Sequence, residues 1–444
     1  MGRSQYAQRD IGVTQASRVH FTLLQSAQLM HNSFQAPPDA TIVIGAGVAG
    51  LLCAHLLEQQ GRSVLLLESR ARIGGRVRSD AAHTAQPVVD MGPSWLWPEL
   101  NDRLHHWCET LGLSLFAQHQ SGAALLERPN QPVQRYDASF YQQPASQRMV
   151  GGMAALTQAL LGRLTRTELR LDTRVHTIHH EADATRLAQA TSGLDPVTAS
   201  ASAYAPTAAT ATATARDPVH PGSSRVRVVA HTRAGEVQHV GAHVVLALPA
   251  RLLGEQMRWE PALPAAITQA WARTPTWMAG QAKFVATYPS AFWREAGLSG
   301  DASSQLGPMV EMHDASSPDA ACAALFGFVG VPAQWRRSLG KEALTQACVE
   351  QLTRLFGPQA GQPSWVCLKD WAQDANTATP ADAAGAQGHP SQPPRQLPAP
   401  WDGVAWLAGS EFADTFTGYL EGAVRSAETV AAEMDARTNT ASTT

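Results

Sequence analysis

An apolar run, Thr41-Ile42-Val43-Ile44, breaks into three spaced glycines, Gly45-Ala46-Gly47-Val48-Ala49-Gly50, and eighteen residues after the last of them Glu68 closes a second apolar run, Val64-Leu65-Leu66-Leu67. This order predicts a strand, a glycine turn, a helix and a second strand ending in a carboxylate. Chemically it is a dinucleotide site. Gly45 allows a tight turn, Gly47 lets the backbone approach a pyrophosphate, and Gly50 lets the helix lie close to the sheet. Phosphate oxygens then meet amides at the helix N-terminus, around Ala46, Val48 and Ala49. Glu68 falls where a ribose 2′-hydroxyl needs an acceptor, and its charge repels a 2′-phosphate, which favours FAD or NAD over NADP. Glycines so spaced also serve packing alone; the register of strand, helix, second strand and acid is what points to a ligand.

The residues that follow separate the two cofactors. Glu68-Ser69-Arg70-Ala71-Arg72-Ile73-Gly74-Gly75-Arg76 sets three arginines around a glycine pair, and Asp90-Met91-Gly92-Pro93-Ser94-Trp95 comes next. Near the far end stand Ala408-Gly409-Ser410-Glu411 and then Thr417-Gly418-Tyr419-Leu420-Glu421-Gly422-Ala423, which opens a helix of small residues. Together these stretches resemble the flavin-containing amine oxidase family, the monoamine and polyamine oxidases. The resemblance covers most of the chain.

It implies an α/β fold: a discontinuous Rossmann-type FAD-binding domain joined to a mixed α+β substrate domain, the amine oxidase (GR2-like) architecture. The cofactor domain is expected from residues 40–114, 167–272 and 374–444, and the substrate domain from 115–166 and 273–373. Gly151-Gly152-Met153 matches a family turn on the way back to the cofactor domain. Glu68, Ser69, Arg70, Gly74, Gly75, Arg76, Gly92, Pro93 and Ser94 are implied to wrap FAD, with Gly409, Ser410 and Glu411 beside the pyrophosphate. The helix starting at Gly418, Tyr419 and Leu420 would point its partial positive charge at the flavin pyrimidine edge, where reduction leaves negative charge. Arg76 can offer phosphate a planar fork of donors. Arg70 and Arg72 read equally well as a solvated basic turn. Val175, in Arg174-Val175-His176, is implied to lie against the adenine; a plain strand-core valine would look the same.

Lysine occurs only at 283, 341 and 369. Lys283 sits in an alternating stretch, Gly280 to Tyr288, and matches the family lysine that holds a water near flavin N5. A compact ammonium there can stabilise reduced oxygen. The plainer account is an exposed lysine on an edge strand. Trp371 matches a family tryptophan beside the flavin ring, though a core tryptophan would read alike. Tyr419 resembles one of two aromatic residues that cage the amine, admitting its neutral form and excluding water. A tyrosine packed at a helix start is the alternative. The family's flavin-linking cysteine and second cage tyrosine are missing from the stretch 377–384, so FAD is expected to be noncovalent and the substrate pocket altered.

The resemblance implies oxidation of an amine to an imine, with O2 as acceptor and hydrogen peroxide as product. An L-amino acid oxidase remains open and would need a carboxylate clamp such as Arg135, Arg273 or Arg294. A desaturase of the same superfamily would want a larger apolar tunnel. A scaffold that binds FAD without turnover is the reading of another class.

The remaining features bound the class. With 444 residues, 44% of them hydrophobic, and a net charge of −3, the chain can build two cores. No basic tract suggests nucleic acid, and no apolar run is long enough to span a bilayer, so a soluble, cytoplasmic enzyme without a membrane anchor is expected. Cys53, Cys108, Cys322, Cys348 and Cys367 show no metal-ligand spacing and read as reduced, buried thiols. The pairs His105-His106 and His179-His180 read as surface histidines, and no metal is expected. Residues 1–39 read as a loosely ordered extension with a short amphipathic stretch at Phe21. Residues 191–222, rich in Ala, Thr and Ser, read as a flexible insert. Thr377 to Pro400, with six prolines, reads as irregular.

Overall fold

The computed structural model describes residues 37, 39–82, 89–137, 145–181, 225–384 and 388–443. Almost all of the expected N-terminal extension, including the Phe21 stretch, and the whole insert 191–222 lie outside the described residues.

Three sheets position the site. The first is parallel, with strand order Ala405–Leu407, His243–Leu246, Thr41–Ile44, Val64–Leu67 and Glu168–Arg170. Its central strands are buried along their whole length, which accounts for their unbroken apolar sequences. Helix Val48–Gln59 returns from the glycine turn, and its Leu51, Leu52 and Leu57 share a core with Val424, Ala427 and Val430 of the C-terminal helix Leu420–Thr443. The helix after the glycine turn and the C-terminal helix therefore meet in one core. The polar residues after Met434 continue this helix.

The second sheet has the order Gly235–Gly241, Arg225–Thr232, Arg174–Glu181 and Arg258–Glu260. The sequence reads as a strand from Leu171 to His179, but the strand begins only at Arg174. Glu168–Arg170 completes the parallel sheet, Asp172 turns at φ 51°, and Arg174–Glu181 enters the second sheet. A short polar side chain is among the few that tolerate that backbone region.

The third sheet runs Trp365–Asp370, Ala282–Tyr288, Ala323–Val329, Met309–Asp314, Leu298–Ser304, Ala123–Glu127 and Gln134–Tyr136. Lys283 lies on an interior strand, hydrogen-bonded on both sides and buried throughout, so the edge-strand account of it fails. Helix Lys341–Phe356 covers one face through Leu344, Cys348, Leu352 and Leu355, against Phe284 and Ala286.

Four of the five cysteines are buried, Cys367 is half-buried, and all are unpaired. Between Thr377 and Pro400 the only regular element among the described residues is the single-turn helix Pro380–Ala383, held by a Thr379–Asp382 capping box. No helix among the described residues is long and apolar enough to cross a membrane.

Candidate active site

The glycine turn shows which of its bare positions the protein itself requires. A Cβ on Gly50 would stand 1.8 Å from the carbonyl oxygen of Gly45, and one on Gly45, at φ +102°, would meet the Ala247 carbonyl at 2.6 Å. Both are fixed by packing. Gly47 differs: the nearest atom to its hypothetical Cβ is the Gly74 carbonyl oxygen at 4.0 Å, so the open space beside it is available to a ligand. Gly47 also caps helix Val48–Gln59 with no side-chain hydrogen bond and no acid in the first turn. An uncapped helix N-terminus facing open space fits a pyrophosphate.

Glu68, buried, ties this turn down. One carboxylate oxygen accepts the Ala46 amide at 2.8 Å and the other accepts the Arg70 amide at 2.9 Å, with the Ser69 hydroxyl at 3.2 Å. The Gly74 amide donates to the Ala46 carbonyl, so the Gly74–Gly75 turn lies alongside the first.

The three arginines do different work. Arg72 donates to the carbonyls of Ile73, Gly75 and Val77 and thereby shapes its own turn. Arg70 reaches Asp374 at 2.7 Å and Thr377 at 2.8 Å, joining the cofactor motif to the segment after Trp371. Arg76 reaches the far end of the chain, with Ser410 Oγ at 2.8 Å and Glu411 at 2.9 Å. Its backbone is close-packed as well, since a Cβ on Gly92 would stand 2.1 Å from the Arg76 carbonyl.

The segment Asp90–Ser94 collects the remaining groups. Lys283 Nζ donates to the Ser94 hydroxyl at 2.6 Å and to the Gly92 carbonyl at 3.1 Å, and lies 4.0 Å from the centre of the Phe326 ring. Burial pulls its pKa down to about 7, opposed by the charge of Asp90 and aided by that of Arg148. Trp371 Nε1 donates to the Met91 carbonyl at 2.9 Å, and Lys369 lies over the Trp371 ring at 4.5 Å while pairing with Asp374. Pro93 lies between the two carbonyl-bearing positions and Ser94 in this segment. Asp90 accepts from Ser79 and from the Met153 amide, and burial raises its pKa.

Tyr419 is 40% exposed, before helix Leu420–Thr443. Two rings that the sequence did not single out surround it. His389 stacks on it with centroids 5.1 Å apart, and Trp277 lies 5.8 Å away and 4.8 Å from His389. Gly418 permits this, because a Cβ there would stand 2.7 Å from that of Trp277. Nothing local in sequence marks His389, which lies within the irregular stretch Thr377 to Pro400, and Trp277 precedes Tyr419 by more than a hundred residues. Val175 is buried on its strand immediately before a bulge. Gly409 packs against the Leu248 carbonyl. Of the arginines considered as carboxylate clamps, Arg135 and Arg273 are exposed and Arg294 is bound to Asp314 at 2.8 Å.

Comparison with known proteins shows the family and the fold. The family model described as flavin containing amine oxidoreductase matches residues 193–435, and one for an NAD(P)-binding Rossmann-like domain matches residues 43–111. The chain is 24% identical to a probable flavin-containing monoamine oxidase A of Dictyostelium discoideum, over 88% of this chain and 96% of that one. It is 25% identical to the flavin-containing amine oxidase B of Sus scrofa, over 88% and 85% of the two chains. Among solved structures, cyclohexylamine oxidase from Brevibacterium oxydans matches with TM-score 0.68 at 21% identity, covering 91% of this chain and all (100%) of that one. A putrescine oxidase bound to putrescine matches with TM-score 0.67 at 19% identity, covering 91% and 99%.

Proposed function

We propose that this chain, which belongs to the flavin-containing amine oxidoreductase family and is an FAD-dependent amine oxidase, oxidises the C–H next to an amine to an imine and passes the electrons to O2, giving hydrogen peroxide. One observation carries the reading. Lys283 and Trp371, from the third sheet and the turn after it, both hydrogen-bond to Met91–Ser94, the segment packed behind Arg76, and Arg76 itself grips Ser410 and Glu411. The groups that would act on substrate and oxygen are thus fastened to the groups that would hold the cofactor.

Bound FAD would supply the electron sink for amine oxidation and the reductant for oxygen. The protein's own residues would then do four things. The turn at Gly45–Gly50 and the helix behind it hold the pyrophosphate, with Glu68 at the ribose. Gly409–Glu411 and the helix start at Gly418–Leu420 close the other side. Tyr419, with His389 and Trp277, forms an aromatic wall that orients the amine and sheds its water. Lys283 places an ammonium, or a water held by it, where oxygen is reduced. FAD is held without a covalent bond, since no cysteine follows Trp371 in the chain.

Residues 40–114, 167–272 and 374–444 would form the cofactor domain and 115–166 with 273–373 the substrate domain. Every strand of the parallel sheet comes from the first set and every strand of the seven-stranded sheet from the second, which supports the division. Cytoplasmic residence belongs to the same reading, supported by five unpaired cysteines.

A peroxide-coupled assay of the FAD-loaded protein against monoamines, diamines, polyamines and L-amino acids tests this reading. Turnover of an amine without a carboxylate is expected. Turnover of amino acids alone would transfer the assignment to an amino acid oxidase, and silence across the panel would favour a desaturase or a flavin-binding scaffold.

A further inference from the structure

Arg174–Glu181, Arg225–Thr232 and Gly235–Gly241 are neighbouring antiparallel strands of the four-stranded sheet. Val175 opposes Ala230 and Thr177 opposes Val229, so His176 is the extra residue of a β-bulge. Bulges re-aim side chains. Here the His176 ring lies against that of His231, with centroids 4.2 Å apart and planes at 24°. Glu236 stands directly across the ladder from His231, which brings its carboxylate to the same face.

The ligand atoms of His176, His231 and Glu236 all lie within 4.8 Å of one another, and His176 Nε2 is 3.6 Å from the Glu236 carboxylate. His176 Nδ1 is engaged by the Thr177 hydroxyl at 2.8 Å. That bond fixes the ring and leaves Nε2, which is buried with no hydrogen-bond partner, turned towards the cluster.

From this geometry we infer that His176, His231 and Glu236 form a binding site for Zn2+ or a similar divalent transition ion, with water completing the shell. Two imidazoles and a carboxylate with an open position are a donor set that suits zinc. Loading must open the near-parallel ring stack so that the nitrogen lone pairs converge, and His231 and Glu236 are exposed enough to turn. The ion would clamp three strands together across the bulge next to Val175. It takes no part in amine oxidation.

The test is calorimetric titration of ZnCl2 into tag-free, chelator-treated, FAD-loaded protein, repeated for His231→Ala, Glu236→Gln and, as a control, His179→Ala, a histidine of the same strand paired with Glu260. One equivalent of zinc is expected, with affinity weakened at least about tenfold in the first two variants and unchanged in the control. Cobalt added to the wild type should give the intense visible bands of a four-coordinate ion, absent from His231→Ala. Unchanged thermal melting and FAD content in that variant would show that it folds. No zinc uptake by the wild type, or uptake that survives both ligand substitutions, would overturn the inference.

Discussion

Arg76 places its guanidinium 2.9 Å from the fully buried carboxylate of Glu411, and the two residues are 335 positions apart in the chain. This pair closes the cofactor motif near the N-terminus onto the segment that leads into the last helix. Replacing Arg76 by Met would leave Glu411 buried with its guanidinium partner gone, at a cost of about 3 kcal/mol. The variant should melt at lower temperature and be purified with little FAD. Wild-type melting and flavin content in Arg76→Met would show that the closure is dispensable.

The glycine turn allows a cleaner separation of folding from binding. Gly47 has extended backbone at φ −76° and no protein atom closer than 4.0 Å to its hypothetical Cβ, whereas the Cβ of Gly50 would collide with the Gly45 carbonyl at 1.8 Å. Gly47→Val should therefore fold with nearly wild-type apoprotein stability but bind FAD at least about tenfold more weakly, while Gly50→Ala should lose about 1–3 kcal/mol or fail to fold. Equal FAD affinity in Gly47→Val, measured by flavin fluorescence quenching, would place the pyrophosphate elsewhere.

Lys283 is expected to act in the oxygen step. Lys283→Met should slow reoxidation of the reduced enzyme by about a hundredfold and leave reduction by amine nearly unchanged in stopped-flow traces. With a folded pKa of about 7, the wild-type reoxidation rate should fall as pH rises through that value. Identical half-reactions in the variant would remove the role.

The same lysine makes a prediction for stability. Its pKa is lowered from 10.5 to about 7 on folding, so between those values the unfolded chain binds the extra proton and stability rises with pH. Denaturation midpoints of wild type relative to Lys283→Met should climb from pH 7 towards pH 10. A difference that is flat or falls over that window contradicts the burial effect.

Tyr419, His389 and Trp277 should divide substrate binding from turnover. Tyr419→Ala is expected to cost roughly a hundredfold in kcat/KM through lost orientation, with Tyr419→Phe close to wild type. His389→Ala, which removes one stacked ring, should raise KM about tenfold with less effect on kcat. If His389→Ala leaves KM unaltered for every amine accepted, the imidazole is not part of the wall.

Much of this arrangement was legible in sequence because it rests on local chemistry. The glycine spacing and Glu68 encode a strand, a turn and a helix whose geometry needs no distant partner. The resemblance also implied Arg76, Ser410 and Glu411 as cofactor residues, but that the arginine would grip the glutamate was not legible, since they meet only once strand Ala405–Leu407 joins the parallel sheet and the end helix packs on helix Val48–Gln59. Lys283 illustrates a different limit. An alternating stretch suggests one wet face, yet its strand is buried on both, because a helix and an aromatic cluster cover opposite sides of the sheet. His389 and the His176–His231 pair were invisible for other reasons: one lies within the irregular proline-rich stretch Thr377 to Pro400, and the others meet through a bulge.

The most direct test is to mix the purified, FAD-loaded protein anaerobically with the amines that give peroxide and record its visible spectrum. A yellow protein with about one dissociable FAD per chain is expected, bleached by amine and recoloured by air with release of peroxide. A protein that takes up no FAD, or whose flavin absorbance stays unchanged with every amine, would contradict it.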